Sequence, residues 1–398
     1  MINVAVLGYG TVGGGVVEVL QTNSDVISKR VGDTLEVKYI LDLRDFPGDK
    51  NENLVVHDYD VIVSDPEVKV ICETMGGVEP AFTFSKKALM AGKSVCTSNK
   101  ELVAAHGPEL IRLAEENNCN YFFEASTGGG IPIIRPLITS LTAEKIDGIY
   151  GIVNGTTNYI LTKMDKEGAD FDTVLKEAQD KGYAEKNPAA DVEGYDAVRK
   201  LAILSSLAYG KYVDYNDIYT EGITKISATD IKYAKALNKK IKLLASSVKK
   251  GDSYVALVAP YFVDPSNPLY GVEDVFNAIF VHGNMLGDGM FYGSGAGKLP
   301  TASAVCGDVV ECARLLGRNV DVDWVDEEVA LDGLKASKRA FFVRVKAELK
   351  AKAEESNATI SKSKERWYDA YSGLWFETDL QTLLDAISDV KNVYADMP

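Results

Sequence analysis

The pattern of hydrophobic and polar positions changes along the chain at about Ile133. Before that point, short β-branched runs alternate with segments of helical periodicity, which is typical of a parallel sheet built from βαβ units. The predicted strands are Ile2–Leu7, Leu35–Leu41, Val68–Cys72, Ser94–Thr97 and Asn120–Phe123. The predicted helices between them include Gly13–Gln21, Ala81–Ala91 and Pro108–Asn117. The pattern therefore predicts an α/β fold that begins with a parallel sheet.

The segment after Ile133 carries longer strands, which indicates a second domain of α+β type. Its predicted elements are strands Lys145–Val153 and Tyr254–Phe262 and helices Asn158–Glu167, Phe171–Lys181, Asp196–Tyr209 and Thr229–Asn238. An apolar helix follows at Pro300–Leu316 and is suited to packing back on the first domain. The C-terminal region has predicted strands Arg339–Lys346 and Leu374–Thr378 and a final helix Leu380–Val390. We expect domains at 1–133 and 134–299, the packing helix at 300–317 and a C-terminal extension at 318–398.

Composition and charge exclude several classes of protein. The chain has 398 residues, 46% of them apolar and 25% charged, as in ordinary soluble proteins of two or three domains. Its net charge of -15 repels nucleic-acid phosphate and anionic lipid, so neither nucleic acid nor membrane is an expected partner. No run reaches membrane-spanning length, and we expect no signal peptide before the first strand. The five cysteines lack CxxC spacing, which favours a reduced, cytoplasmic protein. The three histidines lack zinc spacing, so a histidine-based transition-metal site is not expected.

A glycine-rich turn follows the first strand directly. Gly8, Gly10 and Gly13 have the G-x-G-x-x-G arrangement between a predicted strand and a predicted helix. Gly8 permits the tight turn, Gly10 lets the backbone approach a pyrophosphate, and Gly13 lets the helix pack on the sheet. In this context the motif predicts a Rossmann-type dinucleotide site, with a simple glycine-rich turn as the competing interpretation.

The end of the second strand bears on the choice between NAD and NADP. Asp42 could accept hydrogen bonds from a free ribose 2′-hydroxyl, which favours NAD, whereas Arg44 could pair with a 2′-phosphate, which favours NADP. A solvated turn is the third interpretation, and the residues leave all three open. Further polar strand ends, Glu73–Gly77 and Ser98–Lys100, fall on the carboxyl edge of the same sheet, where open α/β folds bind ligands.

Lys200 opens a nearly uncharged apolar run that follows a segment rich in carboxylates. If Tyr195–Ala208 is helical, Asp196 and Lys200 share one helix face. Burial would remove hydration from the ammonium group and favour proton exchange, whereas a surface pair of this spacing contributes only about 0.3–0.5 kcal/mol. The nearby carboxylates could hold the ammonium group of an amino-acid substrate or be solvent-exposed; they are Glu185, Asp191, Glu193 and Asp196.

Three other segments combine polar residues with turns after strands. Lys100 follows Ser94–Thr97 at the ligand edge, where we expect it to be functional. The segment Glu124–Ile131, EASTGGGI, could offer carbonyls to a hard cation, let the backbone approach a ligand, or be a plain turn. Asn154–Asn158, NGTTN, either caps a helix or contacts a polar substrate.

Six motifs, in order, resemble those of homoserine dehydrogenases. They are GYGTVGGGV, TSNKELVA, FFEASTGGGIPII, GIVNGTTNYIL, KGYAEKNPAADVEGYDAVRKLAIL and GSGAGKLPTASAV, and they cover roughly Met1 to Gly317. The resemblance implies an oxidoreductase acting on a CH–OH group with NADP or NAD. Such an enzyme interconverts L-aspartate 4-semialdehyde and L-homoserine in threonine and methionine biosynthesis.

The resemblance also implies positions for the ligands. Nucleotide contacts are implied at Gly8, Tyr9, Gly10, Thr11, Val12, Gly13, Thr74, Ser98 and Lys100, with Gly295 as a weaker candidate. Substrate contacts are implied at Thr156, Glu185, Asp191, Asp196 and Lys200. A monovalent cation, usually sodium, is implied at Glu124 and at the backbone oxygens of Thr127, Gly129 and Ile131.

The mechanism that the resemblance implies is hydride transfer to the aldehyde carbon with proton donation to the developing alkoxide. Lys200 would donate the proton and Asp196 would orient Lys200, while Lys100 would position or polarise the same oxygen. Either lysine, or a water molecule, could be the route of the proton. Glu185 and Asp191 would bind the substrate ammonium group.

The C-terminal region departs from the family pattern. The β-α-β-β-α-β order of a regulatory ACT domain is not recoverable from Arg318–Pro398, so inhibition by threonine is not predicted. The region could be a reduced ACT-like version or extend the interface of the homodimer or higher homo-oligomer that we expect. Two alternatives remain: a nucleotide-binding module without turnover, and an aspartate-semialdehyde dehydrogenase. The latter needs a nucleophilic cysteine, and neither Cys96 nor Cys306 has the sequence context of one.

Overall fold

The structure is a computed structural model, and it describes residues 1–332, 338–346, 359–360, 366–368, 371–379 and 392–396. In chain order its strands are β1 (Ile2–Leu7), β2 (Leu35–Leu41), β3 (Val55–Val56), β4 (Val68–Glu73), β5 (Ser94–Thr97), β6 (Tyr121–Phe122), β7 (Ile146–Ile152), β8 (Lys211–Tyr212), β9 (Tyr219–Thr220), β10 (Lys240–Lys250), β11 (Ser253–Val263), β12 (Phe276–Gly283), β13 (Gly287–Ser294), β14 (Val325–Glu328), β15 (Lys338–Lys346), β16 (Thr359–Ile360), β17 (Arg366–Tyr368), β18 (Tyr371–Asp379) and β19 (Asn392–Asp396). Its helices are α1 (Thr11–Thr22), α2 (Ser24–Val31), α3 (Tyr59–Ser64), α4 (Ala81–Met90), α5 (Lys100–Glu116), α6 (Gly155–Glu167), α7 (Phe171–Asp180), α8 (Ala189–Val192), α9 (Tyr195–Tyr209), α10 (Ala228–Ala236) and α11 (Lys298–Arg314).

The hydrophobic runs of the N-terminal part form a parallel sheet of six strands in the order β3-β2-β1-β4-β5-β6. Every residue of β1 is buried, as expected for a strand covered on both faces. The strand order reverses between β1 and β4. At such a point the ligand crevice of an open α/β sheet lies outside the carboxyl ends of the strands. The predicted α/β fold with an N-terminal Rossmann-type sheet is confirmed.

Helix α11 packs against α1 in the core beside this sheet. Val16 and Val17 of α1 and Val305 and Val309 of α11 are buried in one hydrophobic cluster. Gly15 permits the close approach, because a Cβ there would lie 2.9 Å from the carbonyl oxygen of Lys298. Each buried valine contributes about 1.5–3 kcal/mol relative to an exposed one, which is enough to fix α11 on α1.

The chain forms two compact units. The first comprises residues 1–144, 202–212 and 293–328, and the second comprises residues 145–201, 213–292 and the described residues from 329 onward. The second unit is built on a mixed sheet whose main path is β13-β12-β7-β10-β11-β19-β15-β18-β16. The domain boundaries expected from the sequence stay predictions. Within the described ranges, no helix has both the length and the apolar character needed to cross a membrane.

Helix α5 begins earlier than its predicted start at Pro108. Proline has no N–H and is best tolerated in the first turn of a helix, which is why the pattern placed the start there. In the structure the Asn99 side chain accepts a hydrogen bond from Leu102 N–H at 3.1 Å and caps a helix that begins at Lys100. Pro108 lies inside this helix. Burial of Leu102 and Val103 offsets the hydrogen bond that the proline lacks.

The described C-terminal strands extend the sheet of the second unit. The predicted strands Arg339–Lys346 and Leu374–Thr378 fall within β15 and β18, which pair in antiparallel fashion. β19 pairs with β15 and lies parallel to β11, which joins these strands to the main sheet. The helix predicted at Leu380–Val390 lies outside the described residues.

Candidate active site

The turn between β1 and α1 has the backbone geometry that a dinucleotide pyrophosphate requires. Gly8 has a φ of 91°, which residues with a side chain rarely adopt. A Cβ at Gly13 would lie 1.8 Å from the Gly8 carbonyl oxygen, whereas one at Gly10 would meet no heavy atom within 4 Å. No side chain caps the N-terminus of α1, so the N–H groups of its first turn remain available to an anion. These residues fit the pyrophosphate of NAD or NADP.

Asp42 and Arg44, the two candidates for cofactor choice, pair with each other. The Asp42 carboxylate accepts hydrogen bonds from Tyr9 N–H at 2.8 Å and from Arg44 Nε at 2.9 Å. The Arg44 side chain is 63% exposed and that of Asp42 is 9% exposed. The hydrogen bond from Arg44, which outweighs the effect of burial, holds the pKa of Asp42 well below its usual range. A charged carboxylate therefore stands at the end of β2, and the nearby arginine is already bonded to it.

Thr74, Ser98 and Lys100 lie at the carboxyl ends of β4 and β5. The Thr74 hydroxyl is 2.9 Å from Leu7 O and 3.0 Å from Gly8 O, so it supports the glycine turn from beneath. The Ser98 N–H points to Glu73 O at 3.4 Å. Lys100 is the first residue of α5 and is partly buried. The structure thus places all three at the ligand edge of the sheet.

The Glu124 carboxylate binds backbone of its own chain. Its Oε1 accepts hydrogen bonds from the N–H groups of Ile133 at 2.6 Å and Ile134 at 2.8 Å, and its Oε2 accepts one from Arg135 N–H at 2.7 Å. These bonds hold the start of the short helical turn Pro136–Ser140. The side chain predicted to bind a cation is therefore occupied by three N–H groups.

The main-chain oxygens of the predicted cation site have a different environment. Thr127, Gly129 and Ile131 are buried, and no N–H group in the described ranges donates to their carbonyl oxygens. Buried carbonyls are normally paired, and a hard cation would satisfy them. Gly295 lies beside this segment, as shown by the distance of 2.2 Å between a Cβ built at Gly129 and the Gly295 carbonyl oxygen. The glycine residues let the two stretches of backbone touch.

Asp308 and Arg135, which the sequence did not single out, tie this segment to α11. Asp308 Oδ2 accepts a hydrogen bond from Glu124 N–H at 2.9 Å, and Oδ1 pairs with the Arg135 guanidinium. Burial raises the pKa of Asp308, while the charge of Arg135 opposes that rise. The carboxylates of Asp308 and Glu124 together fix both ends of residues 124–135.

Lys200 and Asp196 form a buried ion pair at the start of α9. Lys200 Nζ lies 2.8 Å from Asp196 Oδ2, and the two side chains are 11% and 10% exposed. Lys200 Nζ also donates to the Val153 carbonyl oxygen at 2.8 Å. The pair is therefore not the surface ion pair that its spacing alone allowed. Removal of either partner would leave a buried charge without compensation.

Asn154 joins Asp196 to Asp191, a role that the sequence did not assign. Its Nδ2 lies 2.7 Å from Asp191 Oδ1 and 2.9 Å from Asp196 Oδ2. Its Oδ1 accepts a hydrogen bond from Thr157 N–H at 2.9 Å and caps α6. The motif NGTTN predicted either a helix cap or a contact with a polar substrate, and the cap is present. The same amide also binds two carboxylates because it carries a donor as well as an acceptor, and the substrate contact stays a prediction.

Thr156 and Glu185 lie at the margin of this cluster. The Thr156 hydroxyl donates to the Tyr183 carbonyl oxygen at 2.7 Å and so ties α6 to the loop before α8. Glu185 is exposed, and Gln179 donates to its main-chain oxygen at 3.1 Å. Hydrogen bonds join Asp191 to Asn154 and, through Asn154, to Asp196, whereas the exposed Glu185 lies outside this cluster.

The cysteines do not favour thioester chemistry. Cys96 and Cys306 are buried free thiols. Burial raises the pKa of Cys306 to about 12 and that of Cys96 well above its ordinary value. Because the thiolate is the nucleophilic form, both side chains are poor nucleophiles near neutral pH.

Comparison with known proteins assigns two successive stretches of the chain to one family. Residues 8–124 match the family described as "Homoserine dehydrogenase, NAD binding domain", and residues 132–310 match the one described as "Homoserine dehydrogenase". A homoserine dehydrogenase of Bacillus subtilis is 44% identical over 316 residues, which cover 78% of this chain and 72% of that protein. The chain belongs to the homoserine dehydrogenase family.

Solved structures of homoserine dehydrogenases agree with this assignment. One from Thiobacillus denitrificans aligns with a TM-score of 0.91 at 33% identity, covering 100% of this chain and 98% of that chain. A hyperthermophilic archaeal homoserine dehydrogenase, solved in complex with NADPH, aligns with a TM-score of 0.67 at 31% identity and covers 78% of this chain and 97% of that chain. The activity of the chain is therefore the NAD(P)-dependent interconversion of L-homoserine and L-aspartate 4-semialdehyde. The predicted function is confirmed, and neither alternative is favoured.

Proposed function

We propose that Lys200 is the proton donor when this homoserine dehydrogenase reduces the aldehyde, and the buried Lys200–Asp196 pair is the observation that carries the proposal. An ammonium group has three N–H donors. Asp196 and the Val153 carbonyl take two of them, which leaves one for the substrate oxygen. Asp196 binds the ammonium group and fixes its direction, as general acid catalysis requires.

A reduced nicotinamide, when bound, would supply the hydride for the aldehyde carbon. Lys200 gives a proton to the oxygen that gains negative charge, and in the reverse direction it takes the proton from the hydroxyl of homoserine. For Lys100 we propose a contact with the reacting oxygen or the cofactor. Its place at the start of α5, on the ligand edge of the sheet, supports that role.

Asp191 is the proposed contact of the substrate ammonium group. Asn154 holds one of its carboxylate oxygens at 2.7 Å, and the residue remains partly exposed. A carboxylate that is oriented and still accessible suits a charged ligand. Glu185 and Thr156 are the proposed further polar contacts, of which Glu185 is the more accessible.

For the cofactor we propose a preference for NADH over NADPH. The Asp42 carboxylate is charged and fixed by Tyr9 N–H and Arg44, and such a carboxylate at the end of the second strand accepts hydrogen bonds from a ribose 2′-hydroxyl. A 2′-phosphate would meet that charge and would have to draw Arg44 away from it. Asp45 and Asp49 in the same turn add further negative charge.

We also propose a sodium ion at the carbonyl oxygens of Thr127, Gly129 and Ile131. Their burial without N–H partners supports this site. Glu124 acts there by holding residues 133–135, as its hydrogen bonds indicate. The ion would bind the partial negative charge of the carbonyl oxygens and order a glycine-rich segment that has few side chains of its own to pack.

We further propose that the protein forms a homo-oligomer and is located in the cytoplasm. Large apolar side chains are exposed on the hairpin of β12 and β13, including Met285 at 81% and Tyr292 at 53%. Such a cluster is typical of a surface that associates with another chain. The buried free cysteines fit a reducing compartment.

The activity and the cofactor preference are tested by an assay of the purified chain with aspartate 4-semialdehyde and either NADH or NADPH. We expect oxidation of both cofactors, with kcat/KM higher for NADH by about tenfold or more, which corresponds to roughly 1.4 kcal/mol. No turnover with either cofactor would refute the activity. A preference for NADPH would refute only the proposed role of Asp42 in selecting NADH.

A further inference from the structure

Glu73, the last residue of β4, is a completely buried carboxylate at the ligand edge of the nucleotide sheet, with 0% of its surface exposed. Its Oε1 accepts a hydrogen bond from Met75 N–H at 2.8 Å, and its Oε2 accepts one from the Thr97 hydroxyl at 2.5 Å. Burying a charged carboxylate costs on the order of several kcal/mol in lost hydration unless hydrogen bonds compensate. A buried carboxylate at the ligand edge of the sheet therefore indicates a functional role.

The hydrogen bonds of Glu73 continue to the start of α5. The Thr97 oxygen that donates to Glu73 also accepts a hydrogen bond from Asn99 N–H at 2.9 Å. Asn99 Nδ2 donates to Gly77 O at 2.6 Å, and Asn99 Oδ1 caps α5. The loops after β4 and β5 are thereby locked to each other, and Lys100 is the next residue along the chain.

The same loop supports the cofactor turn. Thr74, the neighbour of Glu73, lies with its hydroxyl 3.0 Å from the carbonyl oxygen of Gly8. Its N–H donates to Leu7 O at 3.0 Å. Glu73 therefore stands between the glycine turn and the helix that begins at Lys100.

We propose that Glu73 is a positioning residue that sets Lys100 through Thr97 and Asn99. The inference rests on the proposed function, because it requires that Lys100 takes part in the reaction. It extends that function by assigning the buried network that holds this lysine in place.

A carboxylate is specifically needed because both of its oxygens accept hydrogen bonds. Glutamine offers one acceptor oxygen, and its NH2 group would face either Met75 N–H or the Thr97 hydroxyl. Facing Met75, the NH2 group would oppose another donor in a buried site; facing Thr97, it would donate to the Oγ1 atom, and the Thr97 hydroxyl would lose its acceptor. Glu73→Gln therefore disturbs either the hydrogen bond to Met75 or the one to Thr97, while Thr97→Val removes only the link that leads to Asn99.

A double-mutant cycle between Glu73→Gln and Lys100→Ala tests the proposal. We expect Glu73→Gln to lower kcat by about tenfold or more in the wild-type background, and to have no further effect once Lys100 is alanine. Thr97→Val should reproduce the loss of kcat while the Kd of the nucleotide, measured by its fluorescence, changes less than about threefold. If Glu73→Gln does not fold, Thr97→Val takes its place in the cycle.

Lys93→Met is the matched control, since Lys93 is also buried but lies at the opposite edge of the same strands, with Nζ donating to Val68 O at 2.9 Å. It should lower thermal stability and leave kcat unchanged. Equal losses of kcat from Glu73→Gln with and without Lys100 would overturn the positioning role and indicate general structural damage. Normal kcat in Lys100→Ala alone would instead refute the proposed role of Lys100, and the inference with it.

Discussion

The glycine turn of the first unit and the lysine cluster of the second unit are built by opposite means. The turn is made of backbone from consecutive residues, where the absence of side chains at Gly8 and Gly13 creates the geometry. The cluster is made of side chains from separate elements, where Asn154 of one helix start meets Asp191 and the Lys200–Asp196 pair. The first region therefore fails when atoms are added, and the second fails when they are removed.

The difference also concerns how each region handles charge. The turn offers partial positive charge from N–H groups at a helix start, which needs no ionised side chain. The cluster uses full charges and must hold them by hydrogen bonds in a buried place. The activity should accordingly depend more steeply on single side chains in the second unit.

The largest effect is expected from Lys200→Ala. Loss of the proton donor should lower kcat by roughly 10²–10⁴ while the Kd of the nucleotide is kept. Steady-state kinetics and nucleotide titration measure both quantities. Lys176→Ala is the control, because Lys176 pairs with Asp180 at similar helical spacing but with side chains 70% and 63% exposed. Near-normal kcat in Lys200→Ala would return the pair to a structural role.

A smaller effect, on cofactor binding, is expected from Gly13→Ala. The added methyl would lie 1.8 Å from Gly8 O, so the turn must shift, and we expect the Kd of NADH to rise by about tenfold or more. Gly14→Ala is the matched control, because its methyl would meet only the Tyr9 ring at 3.9 Å. If both variants bind NADH equally, the turn does not depend on backbone contact.

The smallest effect on activity is expected from another buried lysine, Lys242 of β10. Its Nζ donates to Asn158 Oδ1 at 3.0 Å and to the Val272 carbonyl, neither of which carries a charge. Burial, assisted by the charge of Lys240, lowers the pKa of Lys242 from 10.5 to about 8. The contrast with Lys200 is that no carboxylate bonds directly to this ammonium group among its described contacts.

The sign of the pH dependence follows from that pKa. Between pH 8 and 10.5 the unfolded chain binds the proton that folded Lys242 has lost, so folded stability rises with pH. Relative to Lys242→Met, the wild type should gain up to about 1.4 kcal/mol in free energy of unfolding per pH unit in this window. Urea unfolding at several pH values measures the difference. A difference that does not change with pH would show that Lys242 keeps its ordinary pKa.

Much of the first unit could be predicted from the sequence because its signals are local. The alternation of strands and helices, and the spacing of Gly8, Gly10 and Gly13, specify the sheet and its first turn within a short stretch of chain. The pairing of Asp196 with Lys200 is likewise a matter of helical spacing. The start of α5 was missed, since the cap by Asn99 and the burial of Leu102 prevail over the usual position of Pro108.

By itself the sequence determined the fold class, the family and the chemistry available at each strand end. Only the tertiary structure decided that Asp42 and Arg44 bond to each other, that Glu124 binds backbone N–H groups, and that Glu73 joins two loops. It also decided that Asn154 connects two carboxylates. The physical reason is that a hydrogen bond depends on the distance and direction between two groups once the chain has folded, and periodicity records only which face a residue occupies.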